Sequence, residues 1–130
     1  MSIATLARRV LAVSALAVAP LLGAATHAAN RFHLALKHAE PGVSDTVATS
    51  PKMLKLWFTE SVSPATTGVR LMNAKEEVLK VGDVTVESSP MSPAVVAVPE
   101  KLGAGTYTVM WRAMADDGHP STGKFTFTVK

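Results

Sequence analysis

Apolar and polar residues alternate along most of the chain beyond residue 30, with a period of two rather than the spacing of a helix. At the C-terminus, Phe125, Phe127 and Val129 alternate with lysines and threonines. Such a pattern predicts a strand with one buried and one solvated face. The same pattern predicts strong strands at 54–58 and 107–111, and weaker ones at 34–39, 69–72, 78–81, 84–86 and 94–98.

Turn-forming proline and glycine residues separate these runs at short intervals. Seven or eight short strands in roughly 100 residues predict an all-β fold, with two antiparallel sheets packed face to face as a Greek-key sandwich. We expect no long helix, internal repeat or second folded domain.

The first 29 residues differ in composition from the remainder. Arg8 and Arg9 precede an apolar run, residues 10–22, and small residues follow it up to Ala29. This pattern is typical of a secretory signal peptide, and the run is shorter than the roughly 20 residues that span a bilayer. We therefore predict a signal peptide at 1–29, a mature domain at 30–130, and no retained membrane anchor. Cleavage after Ala25, Ala28 or Ala29 places a small residue at the cut.

Composition narrows the possible functions of the exported domain. The formal charge of the whole chain is +3, and removal of Arg8 and Arg9 leaves 11 basic against 10 acidic residues, which gives no electrostatic reason to expect nucleic acid. The chain has no cysteine, so no disulfide supports the fold and no thiol can act as a nucleophile. Phosphate-binding glycine loops and the Gly-x-Ser-x-Gly motif are also absent.

The segment between the last two strong strands combines residue types that bind metals. Asp117, Gly118, His119 and Pro120 follow one another there, and Gly118 allows a bend that brings Asp117 and His119 together. Asp-Gly is also a common turn, so this loop alone is weak support for a site. If strands alternate in direction through a seven-stranded sandwich, the first strand starts near this loop, which places His33 beside it. This placement of His33 holds only if the runs at 78–81 and 84–86 do not count as two full strands.

These blocks together resemble the CopC family of periplasmic copper-binding proteins. The similarity covers essentially the whole mature chain. It rests on His33 with Pro41 eight residues later, on the run 54–60, and above all on Tyr-x-Val-x-Trp-Arg at 107–112 leading into Asp-Gly-His-Pro at 117–120 and Gly-x-Phe-x-Phe at 123–127. The resemblance implies a cupredoxin-like or Ig-like sandwich that binds Cu(II) without turnover, for copper resistance, homeostasis or delivery.

By the same resemblance, the metal ligands are His33, Asp117 and His119, and a CopD-type inner-membrane copper transporter is the expected partner. Family members usually begin the mature chain with the first of these histidines, whose amine also binds copper. Here that start would require cleavage after the bulky Phe32, which signal peptidase disfavours. The amine ligand is therefore not expected unless a second protease trims the chain.

Other donors are expected to play smaller parts. Asp116 and Arg112 are candidates to orient a ligand, and solvation is an equally good interpretation of both. His38 is predicted to be an exposed surface histidine. Met72 and Met91 are too few for the methionine-rich Cu(I) site of some family members, and Met53, Met110 and Met114 fit packing roles, so no Cu(I) site is expected.

Two imidazoles and a carboxylate suit Cu(II), with zinc as the other possible ion and calcium excluded by its need for six or more oxygens. Two alternative functions stay open from the sequence. One is a sandwich that has lost its metal and acts as an interaction module. The other, less favoured, is a copper oxygenase with a histidine brace. The sequence argues against it because no exposed aromatic substrate surface can be recognised.

Overall fold

The computed structural model describes residues 33–89, 91–115 and 117–130. Within these ranges the chain forms nine strands and one short 3-10 helix, Pro64–Thr66. The strands are β1 (Leu36–Glu40), β2 (Thr46–Val47), β3 (Met53–Phe58), β4 (Gly68–Met72), β5 (Val78–Leu79), β6 (Thr85–Val86), β7 (Ala94–Ala97), β8 (Gly105–Met114) and β9 (Pro120–Val129).

The strands form two sheets. One has four strands in the order β1-β3-β7-β6, and the other has five in the order β2-β9-β8-β4-β5. All neighbouring strands are antiparallel except β2, which runs parallel to β9. The β8–β9 hairpin is the longest element, paired without interruption from Gly105 opposite Val129 to Met114 opposite Pro120. Its far end carries the Asp-Gly-His loop.

The core lies between the two sheets and includes inward positions predicted from the alternation. Leu54 and Leu56 of β3 and Val109 and Phe127 of the long hairpin are fully buried. Phe58 meets Trp111 edge to face, with 5.1 Å between ring centroids. A Cβ at Gly123, which pairs with Trp111, would lie 2.5 Å from the indole, so only glycine fits beneath this ring. The packed rings support the hairpin next to its loop.

The all-β prediction is confirmed, and the strongly alternating runs are β3, β8 and β9. The number of strands differs from the prediction because β2 was missed. It has only two residues and no alternation to identify it, and its partner β9 is distant in sequence. In the part of the chain described, no helix is long and apolar enough to span a membrane. The predicted signal peptide lies outside the described residues.

Candidate metal centre

The loop between β8 and β9 is a compact turn. The N–H of Gly118 donates to the carbonyl oxygen of Ala115 at 2.9 Å, and the N–H of Ala115 donates to that of His119 at 3.3 Å. Gly118 has a φ of 82°, in the left-handed region that glycine adopts without steric cost. The bend predicted from the sequence at this glycine is therefore present.

The turn brings Asp117 and His119 into direct contact. Asp117 Oδ1 accepts a hydrogen bond from the backbone N–H of His119 at 3.0 Å, and Oδ2 lies 3.0 Å from His119 Nδ1. The predicted convergence of these two side chains is confirmed. A carboxylate on Nδ1 orients an imidazole and makes its other nitrogen, Nε2, the better metal ligand. Both side chains are largely exposed, with 68% of His119 and 60% of Asp117 accessible.

His33 lies three residues before β1, in a segment hydrogen-bonded to the end of β3. Leu34 is buried in the core. The N–H of Ala35 donates to Thr59 Oγ1 at 3.0 Å, and the N–H of Thr59 donates to the carbonyl oxygen of Ala35 at 2.9 Å. These anchors place the exposed His33 beside the β8–β9 loop.

His33, Asp117 and His119 line one surface pocket of about 200 Å³. Leu34, Ala115, Pro120 and Ser121 complete its wall. The segment before β1 and the loop between β8 and β9 therefore meet at one place, as expected from the alternation of strand directions. Among the described residues, however, no three His, Cys, Asp or Glu side chains are already grouped so as to hold a metal ion. The three residues share a pocket, while the Asp117 carboxylate contacts His119.

Arg112 and His38 do not line this pocket. Arg112 lines a different cavity, on the outer face of β4, β8 and β9, and is not part of the pocket wall. Asp116 lies outside the described residues. His38 is exposed as expected, but its ring packs on Trp57, with 5.0 Å between centroids. The sequence contains no signal for this contact because it depends on an irregularity in strand pairing.

Comparison with known proteins identifies the family. Residues 36–130 match the family model of the CopC domain, a range that contains Asp117 and His119 and begins just after His33. The chain belongs to the CopC family. CopC proteins are copper-binding resistance proteins and not enzymes, which confirms the prediction of a binding protein.

Relatives and solved structures agree with this assignment. Copper resistance protein C of Escherichia coli is 36% identical over 106 residues, covering 75% of this chain and 82% of the relative. Protein YobA of Escherichia coli strain K12 is 31% identical over 98 residues, covering 75% of this chain and 79% of the relative.

Among solved structures, CopC from Methylosinus trichosporium OB3b superimposes with a TM-score of 0.70 at 30% identity, covering 75% of this chain and 94% of that one. PcoC, a methionine-rich copper resistance protein from Escherichia coli, superimposes with a TM-score of 0.65 at 35% identity, covering 75% of this chain and 99% of that one. The sandwich fold is thus that of the family.

Proposed function

We propose that this CopC-family chain is a periplasmic copper-binding protein of copper resistance or homeostasis, which binds Cu(II) through His33, Asp117 and His119. The observation that carries the proposal is the shared pocket, because three donors from two segments distant in sequence line one cavity of about 200 Å³. Membership of a copper-binding family supports copper as the ion.

The donor set favours Cu(II) over other divalent ions. Two imidazoles and one carboxylate form a mixed nitrogen and oxygen set, and Cu(II) has the highest affinity for such sites in the divalent series. His119 would bind through Nε2, since Nδ1 faces Asp117. Asp117 supplies the negative charge, either to the metal directly or through the imidazole.

The exposure of the pocket suits transfer of copper rather than its storage. His119 and Asp117 are mostly open to solvent, so a partner protein can approach the metal without opening the fold. Delivery to a CopD-type transporter of the inner membrane is the transfer we propose. It requires export, for which the predicted signal peptide at 1–29 provides the route.

A Cu(II) competition titration of the mature protein, followed by EPR, tests the proposal. We expect one Cu(II) per chain, with hyperfine structure from imidazole nitrogen. Absence of saturable binding would contradict the copper function and favour the metal-free interaction module.

A further inference from the structure

An open groove crosses the outer face of the five-stranded sheet. It has a volume of about 950 Å³ and is lined by residues of β4, β8 and β9, with residues 65–67 completing its wall. The groove is larger than the pocket of the candidate metal centre, which has about 200 Å³, and the two share no residue. Binding in the groove therefore does not require the residues proposed to hold the metal.

Three cationic side chains line the groove. Strand pairing sets Met110 of β8 between Arg70 of β4 and Lys124 of β9. Arg112 lies two residues further along β8 and therefore on the same face. All three cations are exposed. Strand spacing separates the positions of Arg70 and Lys124 by about 10 Å, and those of Met110 and Arg112 by about 7 Å. This spread suits several carboxylates along a segment better than a single small anion.

No carboxylate balances these cations in the described part of the chain. The five strands of this sheet contain no aspartate or glutamate, and no residue that lines the groove is acidic. The ion pairs among the described residues involve Glu40 and Asp117, and none includes a cation of the groove. Residues 30–130 carry 11 basic and 10 acidic residues, so the positive charge of the groove reflects segregation of charge rather than a generally basic domain. The groove is complementary to a negatively charged partner.

The centre of the groove is apolar. Met110 is 41% exposed on β8, the middle strand of its sheet, and the half-buried Met114 lies on the same face of that strand. Protein interfaces are enriched in methionine and arginine, and an apolar centre surrounded by polar groups is typical of them. A flat layer of lipid headgroups offers only charge and does not enter a cavity. An extended polypeptide can fill the cavity and set carboxylates against its cations.

The groove ends beside the candidate metal centre. Met114 lines the groove, and its cross-strand partner Pro120 and its neighbour Ala115 line the metal pocket. A partner that occupies the groove therefore lies next to the loop of Asp117 and His119.

We propose that this groove is the docking site for an acidic, extended segment of a partner protein. Carboxylates at alternate positions of such a segment are about 7 Å apart, which matches the separation between Arg112 and the row of Arg70 and Lys124. Exposed charges of this kind favour rapid, reversible association more than high affinity. The inference that the partner exchanges copper rests on the proposed function, whereas binding of an acidic segment needs no metal.

Binding of a short fluorescein-labelled peptide of alternating glutamate and threonine to the mature protein tests the proposal. Fluorescence anisotropy measures affinity, and shifts of backbone amide NMR signals locate the site. We expect saturable binding, with the shifts concentrated in β4, β8 and β9. In the double variant Arg70→Glu, Lys124→Glu, affinity should be about tenfold lower, because each exposed charge contact contributes a few-fold. Added salt should weaken binding by screening these contacts.

The double variant Lys52→Glu, Lys101→Glu is the matched control, because it makes the same change in net charge at two exposed residues outside the groove. It should bind the peptide nearly as wild type does. All four replaced side chains are exposed, so thermal melting should differ little from wild type. The docking proposal is wrong if the control loses as much affinity as the groove variant. It is also wrong if citrate or phosphatidylglycerol vesicles bind the groove more tightly than the peptide.

A Cu(II) titration of the same proteins separates this proposal from the proposed function. Arg70 and Lys124 do not line the metal pocket, so the groove variant should bind Cu(II) like wild type. Weaker peptide binding with unchanged Cu(II) binding supports the docking site. Peptide binding by a wild-type protein that does not bind Cu(II) would contradict the copper function and still support the docking site.

Discussion

Two histidines of this protein stand two positions from a carboxylate, yet the two pairs differ in geometry. Asp117 lies 3.0 Å from His119 Nδ1 and also accepts the backbone N–H of His119. Glu40 remains 3.7 Å from His38 Nε2, beyond hydrogen-bond distance, and the His38 ring packs on Trp57 instead. Both histidines are exposed, so burial does not explain the difference.

The backbone conformation between the two residues of each pair explains this difference in geometry. His38 and Glu40 belong to a strand, where residues two apart share a face but lie about 7 Å apart along the chain. Asp117 and His119 flank Gly118, whose left-handed conformation turns the chain back on itself. A turn therefore couples the carboxylate to the imidazole, whereas a strand leaves the imidazole to contact its cross-strand neighbour.

The largest expected difference in Cu(II) affinity is between variants that lack the imidazole of His119 and variants that lack that of His38. His119→Ala should abolish specific Cu(II) binding, a loss of at least about 100-fold, because so small a donor set cannot spare an imidazole. His38→Ala removes an imidazole that does not line the pocket and should change Cu(II) affinity little. Competition titration and EPR measure both. If His119→Ala gives the wild-type spectrum and endpoint, the assigned site is wrong.

A smaller loss of Cu(II) affinity is expected when only the negative charge of the Asp117–His119 pair is removed. Asp117→Asn keeps an oxygen that can accept the His119 N–H but loses the negative charge, so Cu(II) affinity should fall by about tenfold. Asp83→Asn, at an exposed position outside the pocket, is the control for loss of an acidic group. Equal Cu(II) affinities for the two variants would remove Asp117 from the site.

The turn itself can be tested through its glycine. A Cβ at Gly118 would meet nothing within 4 Å, so Gly118→Ala changes only the cost of the left-handed backbone. We expect a loss of about 1 kcal/mol in unfolding free energy and a few-fold weaker Cu(II) binding as the Asp117–His119 contact loosens.

Gly118→Asn should lose less than Gly118→Ala, because asparagine tolerates the left-handed region. Gly103→Ala is the control, with open space around its Cβ and no left-handed φ. Urea titration measures the stability of each variant. Identical stabilities for Gly118→Ala and Gly103→Ala would show that the strain is absent in solution.

The position of the mature N-terminus decides whether the candidate metal centre gains an amine as a further donor. This prediction can be tested without any substitution. We expect the exported protein to start at or before Asn30, because small residues precede the proposed cuts and Phe32 is bulky. Intact mass spectrometry of the exported protein measures this start. A mass that begins at His33 would refute the prediction and add an amine to the pocket of His119.

Local pattern was enough to predict the scaffold and much of the candidate site. Alternation at Phe125, Phe127 and Val129 predicted β9, since a strand with one buried face needs an apolar side chain at every second position. Asp117 and His119 could be paired from sequence because the bend at Gly118 is a property of one residue. The position of His33 followed from alternating strand directions together with the condition that 78–81 and 84–86 are not two full strands; in the structure these runs hold only the two-residue strands β5 and β6.

Only the tertiary structure decided the features that depend on pairing between distant segments. The bulge at Lys37 shifts β1 by one residue against β3 and so moves His38 from the core to the face of Trp57. The parallel pairing of β2 with β9 and the arrival of Met91 beside His38 likewise join residues far apart in sequence. Register is set by the packing of the whole sheet, and a one-residue shift reverses which face a side chain occupies, so no local pattern contains this information.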